Sequence, residues 1–338
     1  MDIVVTSLDV ADVAATERAY EIESAARAAD QPDMPPSPRQ RFFTALRRPW
    51  PGDDDRHALG YLDGVAVGYL AVSLPQRENL ENAGLVLAVL PEYRRRGVGR
   101  ALYEYAVRLV REEGRKRIVG EVANMSPESA PTTPGDAFAA AMGARPALAD
   151  IRRRLDLSRL DEPELDRLLA EGLARAEGYS LVRWRGATPD EYAEDVAYLD
   201  SRLVSDAPIG DLTWEAAKPE VSRLREMEQA HHERGQYWYN SGARHDATGR
   251  LVAWTGIGTN AGCDWHAFQQ ITLVEPAHRG HRLGTVVKVD NLRHIRAHEP
   301  ALRVIDTYNA ASNDYMISIN EALGFRAVAG LNSWQTTL

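Results

Sequence analysis

The run "LAVLPEYRRRGVGRAL", Leu87 to Leu102, decides how the rest of the chain is read. The apolar stretch Leu85 to Leu90 reads as a central strand buried on both faces, stopped by Pro91, which has no N–H to give to a ladder. Arg94, Gly97 and Gly99 then open a helix expected from Val98 to Glu113. Such a turn builds an anion site: backbone N–H groups point at one place, and the positive end of the helix dipole lies behind them. Glycine lets a phosphate approach with no Cβ in the way. Arg94, Arg95, Arg96 and Arg100 can add charge, although arginine runs also occur on plain solvated faces. A dinucleotide-binding turn would instead sit in a first βα unit, with an acidic residue about twenty positions on. Here the glycines follow two helices and a hairpin.

Outward from that turn the chain repeats itself. The first copy has a strand from Ile3 to Thr6, a helix from Val10 to Ala29, and a second helix from Gln40 to Arg48. Strands follow at His57 to Leu62 and Ala66 to Val72, split by the hairpin signal Asp63-Gly64. After the glycine turn and its helix, Arg117 to Val122 is a further strand. The second copy has strand Tyr179 to Trp184, then helices Pro189 to Leu203 and Glu220 to His232. Strands Gln236 to Asn240, Leu251 to Ile257 and His266 to Val274 come next, then a helix from Leu283 to His298 and a strand from Arg303 to Thr307. The stretch "ITLVEPAHRGHRLGTVVK", Ile271 to Lys288, restates strand, proline, arginine, glycine and helix. The pattern predicts an α/β chain of two domains, residues 1–156 and 157–338, each a mixed sheet flanked by helices.

Bulk properties narrow the class. With 338 residues, 44% hydrophobic and 26% charged, the chain has the composition of a globular protein. A net charge of −9 argues against nucleic acid or an anionic membrane as the main partner. No apolar run is long enough to span a bilayer, and the start lacks a signal peptide's basic residues. The lone Cys263 fits a reducing compartment, so a cytoplasmic location is expected. His231 and His232 are adjacent rather than on one helix face, so no metal site is assigned.

Arg94, Gly97 and Gly99 match motif A of the GNAT superfamily of acetyltransferases, and the chain resembles two such domains in tandem. "WRGATPDEY" (Trp184 to Tyr192) and "SDAPIGDLTWE" (Ser205 to Glu215) resemble the actinobacterial tandem group to which mycothiol synthase is related. The resemblance implies a splayed central sheet, acetyl-CoA as cofactor, and a small-molecule amine as acceptor. It places the cofactor against Leu87, Val89, Arg94, Arg95, Arg96, Gly97, Val98, Gly99 and Arg100 in the first copy. In the second copy it places it against Thr272, Val274, Arg279, Gly280, His281, Arg282, Leu283 and Gly284. Asn313 stands where the family's asparagine holds the pantetheine arm, or else caps a helix; Thr132 is its counterpart.

Departures from the pattern bear on chemistry. The tyrosine that protonates the departing thiolate is replaced by Ala139 in one copy and Asn320 in the other. Tyr308, placed just after a strand, is the replacement acid. His266 and Glu81 are base candidates at the start of the central strands, with Glu81 read as a solvated strand end. Arg282 narrows the second loop. These features favour an N-acetyltransferase whose second half does the chemistry. Acetylation of a cysteinyl sugar, or cofactor binding without turnover, are the alternatives. The sequence leaves open whether the chain is a monomer or a homodimer.

Overall fold

The computed structural model of the protein describes residues 2–126 and 133–338, so Thr132 lies outside the described residues. Unit 1 comprises the described residues of Met1–Asp150, Ile209–Glu215 and Ala329–Leu338, and unit 2 comprises Ile151–Pro208 and Ala216–Val328.

Unit 1 opens with β1 (Ile3–Ser7), α1 (Val13–Asp30) and α2 (Arg39–Arg47). The hairpin β2 (Asp53–Leu62) and β3 (Val65–Pro75) turns through Asp63 and Gly64, both at positive φ as a two-residue turn requires. Next come β4 (Asn82–Val89), α3 (Val98–Glu112), β5 (Arg117–Asn124) and α4 (Pro134–Ala141). Helix α3 buries Val98, Leu102, Ala106 and Val110, one residue per turn, and so lies along the sheet by a single apolar stripe. A Cβ on Gly68 would meet Leu102 at 2.7 Å, which is how closely α3 approaches β3.

Unit 2 begins within β6 (Arg145–Asp156), followed by α5 (Glu162–Leu173) and β7 (Tyr179–Arg185). The helix expected from Pro189 to Leu203 is a single turn at Asp190–Tyr192, then α6 (Ala193–Ser201) and, past Arg202, α7 (Leu203–Asp206). After α8 (Val221–Glu233) come β8 (Gln236–His245), β9 (Leu251–Asn260), β10 (Cys263–Val274) and α9 (Leu283–Arg296). The chain then forms β11 (Val304–Ala310), α10 (Asp314–Ala322) and β12 (Arg326–Thr337). Tyr308 therefore lies inside a strand, not after one.

Strand order is β1-β2-β3-β4-β5-β12 in unit 1 and β6-β11-β10-β9-β8-β7 in unit 2. β12 pairs antiparallel with β5 from Gly330↔Asn124 to Thr337↔Arg117, so the last strand of the chain completes the sheet of unit 1. Its side chains reach α4: the Trp334 indole and Asn332 amide donate to the buried Asp136 carboxylate at 3.0 and 3.3 Å. No feature of the sequence announced this.

The central strands part from their parallel neighbours. β4 pairs with β5 only from Asn82↔Arg117 to Leu85↔Gly120, although both strands run on. β10 pairs with β11 only from His266↔Val304 to Phe268↔Asp306. The reading of Leu85 to Leu90 as buried on both faces is thereby corrected: Val86 is 54% exposed where β4 leaves β5. Apolar composition alone does not distinguish a strand sealed in a sheet from one lining a cleft.

Candidate functional site

The glycine turns of the two units share one backbone shape built from exchanged residues. In unit 1 left-handed conformations fall at Arg95 (φ 64°) and Gly97 (φ 91°); in unit 2 they fall at Gly280 (φ 90°) and Arg282 (φ 54°). Each loop thus spends one glycine and one arginine on the same two positions. Arg282 is consequently no obstruction of the backbone path, and its guanidinium turns away to Glu171 at 3.1 Å. The first intrahelical bonds are Ala101 N–H to Gly97 O and Val286 N–H to Arg282 O, both 3.1 Å. The amides of Val98, Gly99 and Arg100, and of Leu283, Gly284 and Thr285, lie ahead of them with no helical partner. Such donors suit a phosphate.

The first arginine of each motif has another task. Arg94 donates through Nε to Val89 O (3.1 Å) and through both terminal nitrogens to Asp30 (2.7 and 2.9 Å). Arg279 repeats this, bonding Val274 O (3.2 Å) and Asp206 (2.8 Å). A forked guanidinium satisfied in this way locks the strand end to the preceding helices. Among the described residues Arg95 and Arg96 of unit 1 have no carboxylate partner, and Arg96 lies over the Tyr93 ring at 5.4 Å.

The cleft behind each loop differs. A Cβ on Gly99 would meet the Phe138 ring at 3.3 Å and Val89 at 3.8 Å. One on Gly284 would find Ile319, Val274 and Thr272 only at 3.7–4.0 Å, ordinary contact. Val89 in unit 1, and Thr272 and Val274 in unit 2, thus face the first helical turn of their own units, and Leu87 is half-buried on the same strand as Val89. Asn313 caps α10, its oxygen accepting from Met316 N–H at 3.2 Å. Asn320, at the position of the missing tyrosine, is fully buried; it donates to Asn309 at 2.6 Å and leaves its own oxygen without a partner. The Asn320 oxygen is thus a buried acceptor left short of a partner, sealed beneath the parted strands of unit 2.

The candidate catalytic residues share one face of β10 and β11. His266 is 1% exposed and belongs to the paired segment, which corrects its placement at an open strand start. Its Nε2 meets Asp306 at 3.0 Å, while Arg154 grips the same carboxylate with two bonds of 2.7 Å. Burial alone would raise the Asp306 carboxyl, but the bonds from Arg154 and His266 outweigh it and hold the carboxyl below its usual range. Two residues on, Tyr308 stacks on Phe268 with ring centres 6.3 Å apart, half-buried where the strands diverge. His266 packs beneath that pair, 4.7 Å from Phe268. Tyr308 is part-exposed where the strands diverge; His266 is sealed beneath.

Glu81 is tied to Lys116 and Arg117, as a surface residue would be. Glu228, on α8, holds Thr188 N–H and Arg225. Two carboxyls of unit 1 escaped the sequence reading. Glu121 is the first residue of β5 past the last β4 pair. Desolvation first and the Asp150 charge second push its carboxyl up, although the side chain still reaches the surface. Burial pushes Asp150 up to about 6. An acidic residue inside the apolar strand "RIVGEVAN" was the available signal.

A family profile described as "Acetyltransferase (GNAT) family" matches residues 18–128. A solved tandem GNAT protein from the clavulanic acid biosynthesis pathway is 32% identical, with 99% of this chain and 98% of that one covered and a TM-score of 0.83. The chain belongs to the GNAT acetyltransferase family. Two further structures share the fold. One is a GCN5-related N-acetyltransferase from Sphaerobacter thermophilus, at 16% identity, TM-score 0.62, and 99% and 95% coverage. The other, from Kribbella flavida, has 13% identity, TM-score 0.52, and 100% and 71% coverage. No curated protein matches the sequence. The fold of this GNAT protein supports acyl-CoA-dependent acyl transfer, and among the described residues no helix is long and apolar enough to cross a membrane.

Proposed function

We propose that this GNAT protein is an acetyl-CoA-dependent N-acetyltransferase of a small-molecule amine, with its chemistry in unit 2. The observation that carries the reading is the parting of β10 and β11 beside a loop whose first helical amides have no helical partner. Acetyl-CoA, when bound, supplies the activated acyl group. The amides of Leu283, Gly284 and Thr285 would hold its phosphates. Past Phe268 the β10 backbone offers N–H groups on the side no longer paired with β11, where charge develops on the acyl oxygen. Tyr308 donates a proton to the leaving thiolate, and its stacking on Phe268 fixes the ring. Asp306 and His266 form the polar floor that orients this face. Unit 1 is then a cofactor-binding half with little chemistry.

Isothermal titration with acetyl-CoA tests the cofactor, and release of free CoA with a broad amine panel tests turnover. Saturable binding with amine-dependent CoA release supports the proposal. Binding without release from any amine would leave a non-catalytic module. Activity confined to unit 1 would point instead to Glu121 and Asp150 as the proton acceptors.

A further inference from the structure

The phosphate loop of unit 2 differs from that of unit 1 in the source of its positive charge. Unit 1 carries fixed cations, Arg95 and Arg96, without carboxylate partners among the described residues. In unit 2 the arginines are neutralised: Arg279 by Asp206 (2.8 Å) and Arg282 by Glu171 (3.1 Å). The positions of Tyr93 and Arg96 are taken there by His278 and His281.

Those two histidines belong to a ring cluster. Tyr179 packs on His245, His278 and His281 at centroid distances of 5.3, 5.7 and 5.3 Å, and His245 lies 4.9 Å from His278. The same ring atom is held in each imidazole. His278 Nδ1 meets the Tyr179 hydroxyl (2.8 Å), His245 Nδ1 the Thr248 hydroxyl (3.0 Å), and His281 Nδ1 the Arg175 carbonyl (3.1 Å). His281 must donate to that carbonyl, which leaves Nε2 as its proton-accepting atom. Among the described residues no three His, Cys, Asp or Glu side chains are arranged to hold a metal.

We propose that Tyr179, His245, His278 and His281 form a proton-linked anion site beside the unit 2 loop, where the phosphates of a nucleotide-bearing ligand bind together with protons. The site rests on the reading of unit 2 as a CoA-binding half. The other charges facing it are accounted for. Glu275 favours protonation of His278, whereas His245, His281 and Arg250 oppose it, and burial is the largest influence holding His278 below its ordinary range. Arg250 is itself tied to Asp195 (2.9 Å), and Asp246, beside His245, accepts from Ser180 (2.6 Å) and lies 3.5 Å from Arg244. Without protons the loop offers a phosphate only neutral donors; with them it offers the charge that Arg95 and Arg96 give permanently in unit 1. An incoming phosphate favours the protonated rings, so ligand and protons stabilise one another.

The experiment is calorimetric titration of CoA into the whole protein between pH 6 and pH 8, repeated near pH 6.5 in two buffers of different ionisation heat. The expected wild-type result is an affinity component that strengthens on the order of tenfold from pH 8 to pH 6, with proton uptake on binding. The double variant His278→Gln with His281→Gln should lose that component and the buffer-dependent heat. Comparing it with wild type also cancels the titration of the ligand's own phosphate. His281→Arg should bind CoA more tightly at pH 8 and flatten the profile, which a loss of packing would not do. CoA binding with a flat wild-type profile, or a double variant that keeps the wild-type profile, would overturn the histidine site alone. No CoA binding at any pH would overturn the cofactor reading with it.

Discussion

Tyr308 and Lys288 are side chains whose surroundings set their chemistry. Tyr308 stands at the divergence of β10 and β11 on the face that carries Phe268. If it protonates the leaving thiolate, Tyr308→Phe should lower kcat by roughly tenfold to a hundredfold and leave acetyl-CoA affinity nearly unchanged, because a proton donor acts mainly in the transition state. Equal losses in affinity and turnover would make the residue a packing element. Lys288, one turn beyond Gly284 on α9, is 2% exposed, with its ammonium group 5.7 Å from the Phe325 ring. It lines a small apolar cavity with Ile257, Gln269, Leu292 and Ile305. Burial pushes the amine down to about 7 from 10.5. Between those values the unfolded chain holds a proton that the folded chain does not, so stability rises with pH across this window and is flat below it. Urea unfolding of unit 2 should gain about 2 kcal/mol from pH 7 to pH 9, and Lys288→Met should abolish that gain. An unchanged slope in the variant would mean the amine is charged when folded.

The strand–loop–helix element, present twice, lets the two halves be compared inside one molecule. Gly97 is left-handed at φ 91°, and a Cβ there meets Ile3 at 3.1 Å, so any side chain at this position adds strain to whatever its charge does. Gly284 lies buried in a right-handed helix where a Cβ would touch Ile319, Val274 and Thr272, so a glutamate there escapes the backbone strain and Gly284→Ala separates its packing from its charge. With the chemistry in unit 2, Gly97→Glu should retain most of the activity and Gly284→Glu should remove it, in variants shown to be folded; Gly97→Ala reports the strain alone. The reverse order would move the active centre to unit 1. This element was legible in the sequence because proline, arginine and glycine fall at fixed spacing. Its side-chain commitments were not legible. That Arg94 goes to Asp30 and Arg279 to Asp206 depends on where α1 and α7 end, and helix ends are not fixed by the loop that meets them. His266 read as a strand-start base because it stands as far before Pro276 as Glu81 does before Pro91. Its Asp306 partner stands forty residues away and becomes a neighbour only when β11 pairs with β10.

At the scale of the whole molecule the chain path matters more than local pattern. Residues 209–215 and 329–338 return to unit 1 after unit 2 has begun, and neither return has a local signature: the first is irregular chain, and the second belongs to a strand, which reads the same whichever sheet it joins. In unit 1, β12 takes β5 as its partner over eight register pairs, and Tyr103, Asp136 and the strand are linked by side-chain hydrogen bonds. The Asp136 carboxylate is buried, so losing the Trp334 and Asn332 donors leaves an acceptor short of partners, a change that costs about 1–3 kcal/mol. A chain ending at Val328 should therefore loosen unit 1 selectively. Hydrogen exchange of the β5 amides, residues 117–124, should quicken markedly, because β4 pairs with β5 only as far as Gly120 and β12 is its other neighbour. The amides of β8 and β9, which pair with each other in unit 2, should keep their protection. Trp334→Phe gives a milder version of the same pattern with the strand retained. If the shortened chain protected β5 as the full chain does, the sheet of unit 1 would be stable without its last strand, and the returning segment would be an attachment rather than part of the core.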